Sequence, residues 1–395
     1  MLLSFALIFL VGMILGKTFE KIKLPKLLGM LLGGIILGPY ALNLIDASIL
    51  EISAELRHIA LIIILIRAGL NLDIKDLRKV GRPAILMSFL PACFEIVGML
   101  ILAPNILGIS LLEAAVMGTV VAAVSPAVIV PSMLKLMDEG YGTEKGIPQM
   151  IMAGASVDDI FVIVLFTAFT GLAQSGDFKT INFLAIPSSI IFGLLGGAIA
   201  GITLSLLFTK FQFRNTNKII IILSTSFLLV SLEEAISGII GFSGLLATMS
   251  LGGILRKKEK DISRILSREF AKLWVGAELL LFVLLGATIN ISYAVDAGVM
   301  PIILIFGVLV FRITGVFISL IGTNLSSKER IFIAFAYIPK ATVQAAIGGL
   351  PLAMGLACGE IVLTVAVVSI ILTAPIGAVL IDLTYKKFLV KDFKV

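Results

Sequence analysis

The sequence predicts an all-α polytopic membrane protein with about thirteen transmembrane helices. Hydrophobic residues make up 59% of the 395 positions and charged residues only 14%, whereas soluble domains average about 45–50% and about 25%. Apolar stretches close to the length that crosses the hydrocarbon core recur from one end of the chain to the other. Together these observations argue against a soluble enzyme and against a separate soluble domain.

Short polar loops separate the apolar stretches, so each stretch is taken as one span. The thirteen predicted spans lie at roughly 2–16, 24–41, 56–72, 83–104, 110–134, 147–173, 183–209, 219–232, 235–255, 273–291, 297–324, 331–356 and 361–384.

Lysine and arginine are distributed unevenly between alternate loops. One set of loops holds 26 of the 31 basic residues, and the other holds only Arg57 and Lys179. The positive-inside rule then places the N-terminus outside and the C-terminus in the cytoplasm, in the cell (inner or plasma) membrane. The basic excess is therefore explained by topology, and the expected partners are membrane lipids and small inorganic cations, not nucleic acid.

The longest polar stretch, residues 256–272, combines basic residues with apolar residues at helical spacing. This pattern predicts an interfacial linker helix on the cytoplasmic surface between the two halves of the protein.

Seven ionisable residues fall well inside predicted spans. A charge at mid-bilayer costs about 2.5–3.5 kcal/mol even on the lenient insertion scale, so such residues indicate function or mutual pairing. They are Arg67, Glu95, Asp158, Asp159, Glu278, Arg312 and Lys340.

Asp158 and Asp159 lie near the middle of the sixth span, in Gly154-Ala-Ser-Val-Asp-Asp-Ile160. Two like charges this close do not both ionise cheaply in a poorly hydrated site, so at least one is expected to hold a proton near neutral pH. The same carboxylate oxygens suit a hard cation such as sodium or lithium. Competition between the proton and the cation predicts obligatory exchange. The alternative is a structural carboxylate neutralised by Arg312 or Lys340.

Two spans contain proline breaks, at Ser125-Pro126 in span 5 and around Pro339 in span 12. Backbone freed at membrane depth is tolerated only where it is buried or lines a polar cavity. Because the broken spans are an odd number of spans apart, they predict inverted repeats whose two broken helices cross near the midplane.

Hydroxyl groups near these features are candidate ion ligands. Ser125 and Thr342 stand beside the breaks, with capping of freed backbone as the alternative role, and Ser156 lies in the aspartate motif. Lys340, at the second break, is expected to offset the negative carbonyl ends of the half-helices.

Arg312, in span 11, stays protonated and needs a fixed anion. Glu95 in span 4 and Asp158 are the candidates, and a structural Glu95–Arg312 pair is favoured because it leaves both aspartates free for the ion.

The chain resembles the monovalent cation:proton antiporter superfamily. Leu24-Pro-Lys-Leu-Leu-Gly29 with Gly38-Pro39 resembles the second span of that superfamily, and Asp158-Asp159 resembles its double-aspartate branch. The motifs that look closest to NHA-type sodium/proton antiporters are Ile66-Arg-Ala-Gly-Leu70, Ala122-Ala-Val-Ser-Pro-Ala-Val128, Gly154-Ala-Ser-Val-Asp-Asp-Ile160 and Pro339-Lys-Ala-Thr-Val-Gln-Ala-Ala346.

This resemblance implies an NhaA/NapA-like antiporter fold, a homodimer, an elevator-like cycle and Asp159 as the main carrier of Na⁺ or Li⁺. It implies a core domain at about 56–173 and 273–384 and a dimerisation domain at about 1–55 and 183–255. Many double-aspartate relatives have a lysine where Arg312 stands. Because an arginine does not release a proton, we expect an electroneutral exchange of one cation for one proton.

Two other functions compete with this interpretation. One is a potassium/proton antiporter or a Kef-like potassium efflux pathway of the same superfamily. The other is a sodium-coupled organic-anion symporter, whose substrate fits adjacent aspartates poorly. No nucleotide fingerprint, metal-ligand cluster or nucleophile–base set is visible, so neither a resident cofactor nor an enzymatic activity is expected.

Overall fold

The structure is a computed structural model, and it describes residues 1–71, 81–175, 180–236, 241–296 and 298–391. These residues are almost entirely helical, and they contain no strand beyond a single isolated bridge between Tyr141 and Lys391. Lys179, one of the two basic residues expected outside, lies outside the described residues.

The helices follow one another through short connections. In chain order they are α1 (Leu2–Lys21), α2 (Lys26–Leu37), α3 (Ala47–Glu51), α4 (Ser53–Asn71), α5 (Arg82–Met87), α6 (Leu90–Leu107), α7 (Leu111–Val121), α8 (Pro126–Glu139), α9 (Ile147–Ser175), α10 (Thr180–Lys210), α11 (Asn215–Ala235), α12 (Gly244–Lys258), α13 (Lys260–Ala287), α14 (Ile291–Asp296), α15 (Met300–Ser319), α16 (Ser327–Ala336), α17 (Thr342–Ile347), α18 (Leu350–Ala353) and α19 (Gly359–Phe388).

Every predicted span overlaps at least one of these helices. Within the described residues, nine helical stretches are long and apolar enough to cross a membrane, and the shorter apolar helices include α2 and the stretch Thr342–Ala353. The all-α, multi-pass architecture is therefore confirmed.

The chain divides into two compact units. The first unit comprises Met1–Ala54, Lys75–Val162 and Leu281–Val395, and the second comprises Glu55–Ile74 and Ile163–Leu280. This grouping places the N-terminal helices with the broken helices, unlike the functional division expected from the resemblance. Packing shows which segments are compact and not which segments move, so the functional division stays a prediction.

Close helix packing in the first unit depends on glycine. A Cβ atom at Gly34 of α2 would collide with the carbonyl oxygen of Val283 in α13, and one at Gly98 of α6 would meet the ring of Phe311 in α15. Small residues at such contacts let helix backbones approach each other closely. The pairing of α6 with α15 places Glu95 and Arg312 on neighbouring helices.

The predicted linker stretch at 256–272 is divided between two helices, and its interfacial location stays a prediction. The basic residues 256–258 end α12, and α13 then runs without a break from Lys260 into the apolar stretch. No proline interrupts α13, and its buried residues recur every three to four positions, so one helix serves both segments. The buried residues of this stripe are Ser263, Leu266, Phe270, Trp274 and Ala277.

The start of α16 carries a capping box. Ser326 and Glu329 each accept a hydrogen bond from the other's backbone N–H, and Lys145 pairs with Glu329 at 2.9 Å. Burial acts to raise the pKa of Glu329, but the hydrogen bonds from Lys145 and Ser326 outweigh it and hold that pKa below its usual value.

Glu329→Gln is expected to lower the thermal midpoint of the purified protein at pH 7. Because the pKa of Glu329 is lower in the folded state, its contribution is present above its unfolded pKa of about 4.3 and disappears as the pH falls through the folded value. Melting curves of both proteins from pH 7 to pH 3 measure this difference. Glu269→Gln is the control, since Glu269 forms an exposed pair with Lys272 whose removal changes stability by about 0–1 kcal/mol. A gap that does not narrow as the pH falls from 7 to 3 contradicts the prediction.

Candidate functional site

The first predicted break lies between α7 and α8. Residues 122–125 are not helical, and Ser125, which precedes Pro126, is extended with φ −91° and ψ 109°. Proline disfavours the helical conformation in the residue before it, so Ser125-Pro126 explains where the break falls. Pro131, by contrast, lies inside α8.

The second predicted break lies between α16 and α17, at residues 337–341. It meets the first break directly: the Ser125 N–H donates to the Pro339 carbonyl at 2.8 Å, and the Ser125 and Thr342 hydroxyls lie 3.4 Å apart. Both of the crossed broken helices that the sequence predicted are therefore present. The second half is divided again after Ile347, where two glycines precede Leu350-Pro351.

Arg312 binds the ends of both first halves. Its Nε donates to the Tyr337 carbonyl at 2.6 Å, and its Nη1 donates to the Ala122 carbonyl. These carbonyls cap the C-termini of α16 and α7, where the helix dipole leaves partial negative charge. A guanidinium is suited to this position because it offers five donors in a planar fork.

Arg312 also pairs with two carboxylates. Its Nη1 lies 2.8 Å from Glu95 Oε2, and its Nη2 lies 3.0 Å from Asp158 Oδ2. All three side chains are buried. The Glu95–Arg312 contact is present, but the prediction that it leaves both aspartates free is wrong for Asp158. Counting one anion for each cation overlooked the fact that a guanidinium can hold two carboxylates.

Lys340 completes a chain of four buried charges. Its Nζ lies 2.7 Å from Glu95 Oε1 and 2.8 Å from Glu95 Oε2, while its backbone N–H donates to Thr373 Oγ1 at 3.0 Å. The Lys340 ammonium therefore pairs with Glu95. The carbonyl ends of the half-helices, which Lys340 was expected to offset, bind Arg312 instead. Asp158, Arg312, Glu95 and Lys340 carry two negative and two positive charges that neutralise one another.

Asp159 is outside this chain of charges. Its side chain is half-buried, its Oδ1 is a buried atom with no hydrogen-bond partner, and no described residue forms an ion pair with it. Asp158, in contrast, also accepts a hydrogen bond at 2.9 Å from the Val124 N–H in the first break. The two adjacent carboxylates therefore have different surroundings: Asp158 is fixed in the core by its hydrogen bonds, whereas Asp159 is available to bind a proton or a cation.

The three predicted hydroxyl ligands lie in different places. Ser125 and Thr342 are buried together at the crossing. Ser156 is exposed on α9 and donates to the Met152 carbonyl of its own helix at 2.8 Å. The crossing is thus lined by hydroxyls from both breaks, whereas the Ser156 hydroxyl is satisfied locally. Ion binding by any of the three stays a prediction.

The sequence profile of the family described as "Sodium/hydrogen exchanger, transmembrane" matches residues 5–387 of this chain. The chain belongs to the sodium/hydrogen exchanger family. It is 35% identical over 413 residues to human "Sodium/hydrogen exchanger 9B2", covering 99% of this chain and 75% of the relative. It is 37% identical over 397 residues to the Xenopus tropicalis protein of the same name, covering 95% and 73%.

Solved structures show the same fold. The sodium proton antiporter MjNhaP1 from Methanocaldococcus jannaschii matches with a TM-score of 0.84, at 21% identity and over 97% of both chains. The antiporter fold predicted from the sequence is therefore confirmed. The family match given above confirms the assignment to the cation:proton antiporter superfamily.

Two polar side chains of this exchanger site were missed from the sequence. Gln344 donates to the Val121 and Ala123 carbonyls, and the buried Tyr337 hydroxyl lies against Gly154 of α9 without a hydrogen-bond partner among the described residues. The search for intramembrane charge passed over them because neither is charged. For Gln344, the available signal was a polar amide between two breaks of an apolar segment.

Gly154→Ala is expected to destabilise the exchanger by about 1–3 kcal/mol, because the new methyl group collides with the Tyr337 hydroxyl one turn before Asp158. Gly171→Ala on the same helix is the matched control: no atom of the described residues beyond its neighbours and its own helix backbone lies within 4 Å of a Cβ there. Alanine also favours helix over glycine by about 0.5–1 kcal/mol. Thermal melting in detergent compares the two variants. Equal midpoints contradict the close approach of Tyr337 to α9.

Proposed function

We propose that the protein is a secondary active antiporter that exchanges sodium, or lithium, for protons at Asp159. The observation that carries the proposal is the contrast between the four charges that neutralise one another and the Asp159 carboxylate beside them, which forms no ion pair with the described residues. A carboxylate at membrane depth must be neutralised by a proton or by a cation. The names of the 9B2 relatives, which are sodium/hydrogen exchangers, support the same substrates.

Competition at one carboxylate is the basis of the exchange. A proton and a sodium ion do not occupy Asp159 together, so loading one requires release of the other. Apparent affinity for the cation therefore rises with pH until the proton no longer competes. Beside the site, Asp158 accepts hydrogen bonds from the Val124 N–H and from Arg312. Ser125 and Thr342 are the proposed neutral oxygen ligands.

The charges of the core favour an electroneutral cycle. Arg312 does not release its proton, and Lys340 is held by both oxygens of Glu95. Asp159 is then the single group that changes its occupant, which gives one cation for one proton.

The proposed cycle is an elevator movement within a homodimer in the cell membrane, with the N-terminus outside and the C-terminus in the cytoplasm. The 26-to-2 distribution of basic residues supports the orientation.

Proteoliposomes containing the purified protein and an internal pH dye test the function. An imposed sodium gradient is expected to drive proton movement in the opposite direction, and lithium is expected to replace sodium. A response to potassium alone would favour the potassium/proton antiporter, and uptake of a labelled organic anion would favour the symporter. Clamping the membrane potential with potassium and valinomycin should leave the sodium response unchanged, whereas a potential-dependent rate contradicts electroneutrality.

A further inference from the structure

Gln344 lies at the crossing of the two broken helices. It is in the first turn of α17 and is completely buried. Its Nε2 donates two hydrogen bonds, to the Val121 carbonyl at 3.1 Å and to the Ala123 carbonyl at 2.8 Å. The two acceptors fix the orientation of the amide, because only the NH₂ group can donate to them. Its Oε1 has no hydrogen-bond partner among the described residues.

The carbonyls that Gln344 holds belong to the segment that lies beside the aspartates. Between them, the Ala122 carbonyl accepts a hydrogen bond from Arg312, and the N–H of Val124, the residue after Ala123, donates to Asp158. The Ala123 carbonyl and the Val124 N–H belong to the same planar peptide group, so fixing that carbonyl also fixes the direction of the Val124 N–H. Without a donor, two buried carbonyls at the negative end of α7 would need another partner.

We propose that Gln344 is a positioning residue for the ion site. Its amide keeps the non-helical residues 122–124 in the conformation that presents the Val124 N–H to Asp158 and the Ser125 hydroxyl to the crossing. Gln344 acts through the backbone of the first break and does not itself carry the ion. The proposal rests on the proposed sodium/proton exchange, and its test includes a readout that does not depend on transport.

Gln344→Met tests the proposal, because methionine keeps the length of the side chain and removes both donors. Gln344→Glu is the second variant: it keeps the shape, but its carboxyl group offers at most one O–H donor, when protonated, to the two carbonyls. The matched control is Gln149→Met at the start of α9, a half-buried position outside the crossing. Sodium-dependent proton movement in proteoliposomes gives KM and maximal rate, and hydrogen–deuterium exchange of the peptide covering 121–125 reports the backbone.

The expected result is a KM for sodium raised about tenfold in both Gln344 variants, with a maximal rate within about twofold of the wild type. Backbone exchange in residues 121–125 should quicken by about tenfold, while Gln149→Met leaves both readouts unchanged. An unchanged KM, or a fall in maximal rate alone, overturns the positioning role. Unchanged hydrogen–deuterium exchange of residues 121–125 overturns it as well. This second readout applies even if the wild-type protein moves no sodium and the proposed function fails.

Discussion

Asp159→Asn is expected to abolish sodium-driven proton movement and leave the protein folded. Asparagine has nearly the shape of aspartate, but it neither binds a proton near neutral pH nor offers a negative charge to a cation. Folding should be retained because the Asp159 carboxylate makes no ion pair with the described residues, so its loss leaves no buried charge unpaired. The measurement is the pH response of proteoliposomes to a sodium gradient, with melting temperature as the check on folding.

Asp138→Asn provides the matched control for that substitution. Asp138 is exposed near the end of α8, and the chemical change is the same. The control variant should exchange sodium at the wild-type rate. Loss of the charged ligand should lower the exchange rate well over tenfold. If Asp159→Asn still moves protons at more than about a tenth of the wild-type rate, another group carries the ion.

Arg312→Met is expected to be the most destabilising single substitution in the core, by about 3–5 kcal/mol. Arg312 partly neutralises the negative charge of two buried carboxylates and donates hydrogen bonds to the carbonyls at the ends of α7 and α16. Its removal leaves these groups buried without their donor. Thermal melting in detergent and the yield of folded protein measure the effect, and Arg264→Met is the control because Arg264 is exposed with a 4.0 Å contact to Asp261.

The way the charges are shared predicts which second substitution restores stability. After loss of Arg312, Glu95 is still paired with Lys340, but Asp158 forms no other ion pair with the described residues. Adding Asp158→Asn should therefore recover part of the lost stability, whereas adding Glu95→Gln should not, because Lys340 would then lose its partner. Together with the single variants Asp158→Asn and Glu95→Gln, these variants form two double-mutant cycles that isolate the coupling. Equal recovery by both second substitutions would contradict the shared network.

The sequence was sufficient for features whose cause is local. Pro126 and Pro339 each disrupt the backbone close to their own positions, so both breaks could be placed. Buried charge needs a partner, so a Glu95–Arg312 contact followed from the cost of burial and the repeat relation between spans 4 and 11.

Features that depend on three-dimensional sharing could not be predicted. Nothing in the order of residues shows that Arg312 reaches Asp158 as well as Glu95, or that it caps both half-helices. Gln344 was missed because its role depends on carbonyls freed more than 200 positions earlier in the chain. The continuity of α13 was missed because a change from polar to apolar composition was taken as the end of a helix.

Proton release on sodium binding tests the central claim most directly. Sodium is added to the purified protein in weakly buffered detergent solution at a pH where Asp159 is protonated, and the released protons and bound sodium are both counted. The expected result is one proton released for each sodium bound by the wild type and by Asp138→Asn, and none by Asp159→Asn. Sodium binding without proton release, or equal release from Asp159→Asn, would contradict exchange at this carboxylate.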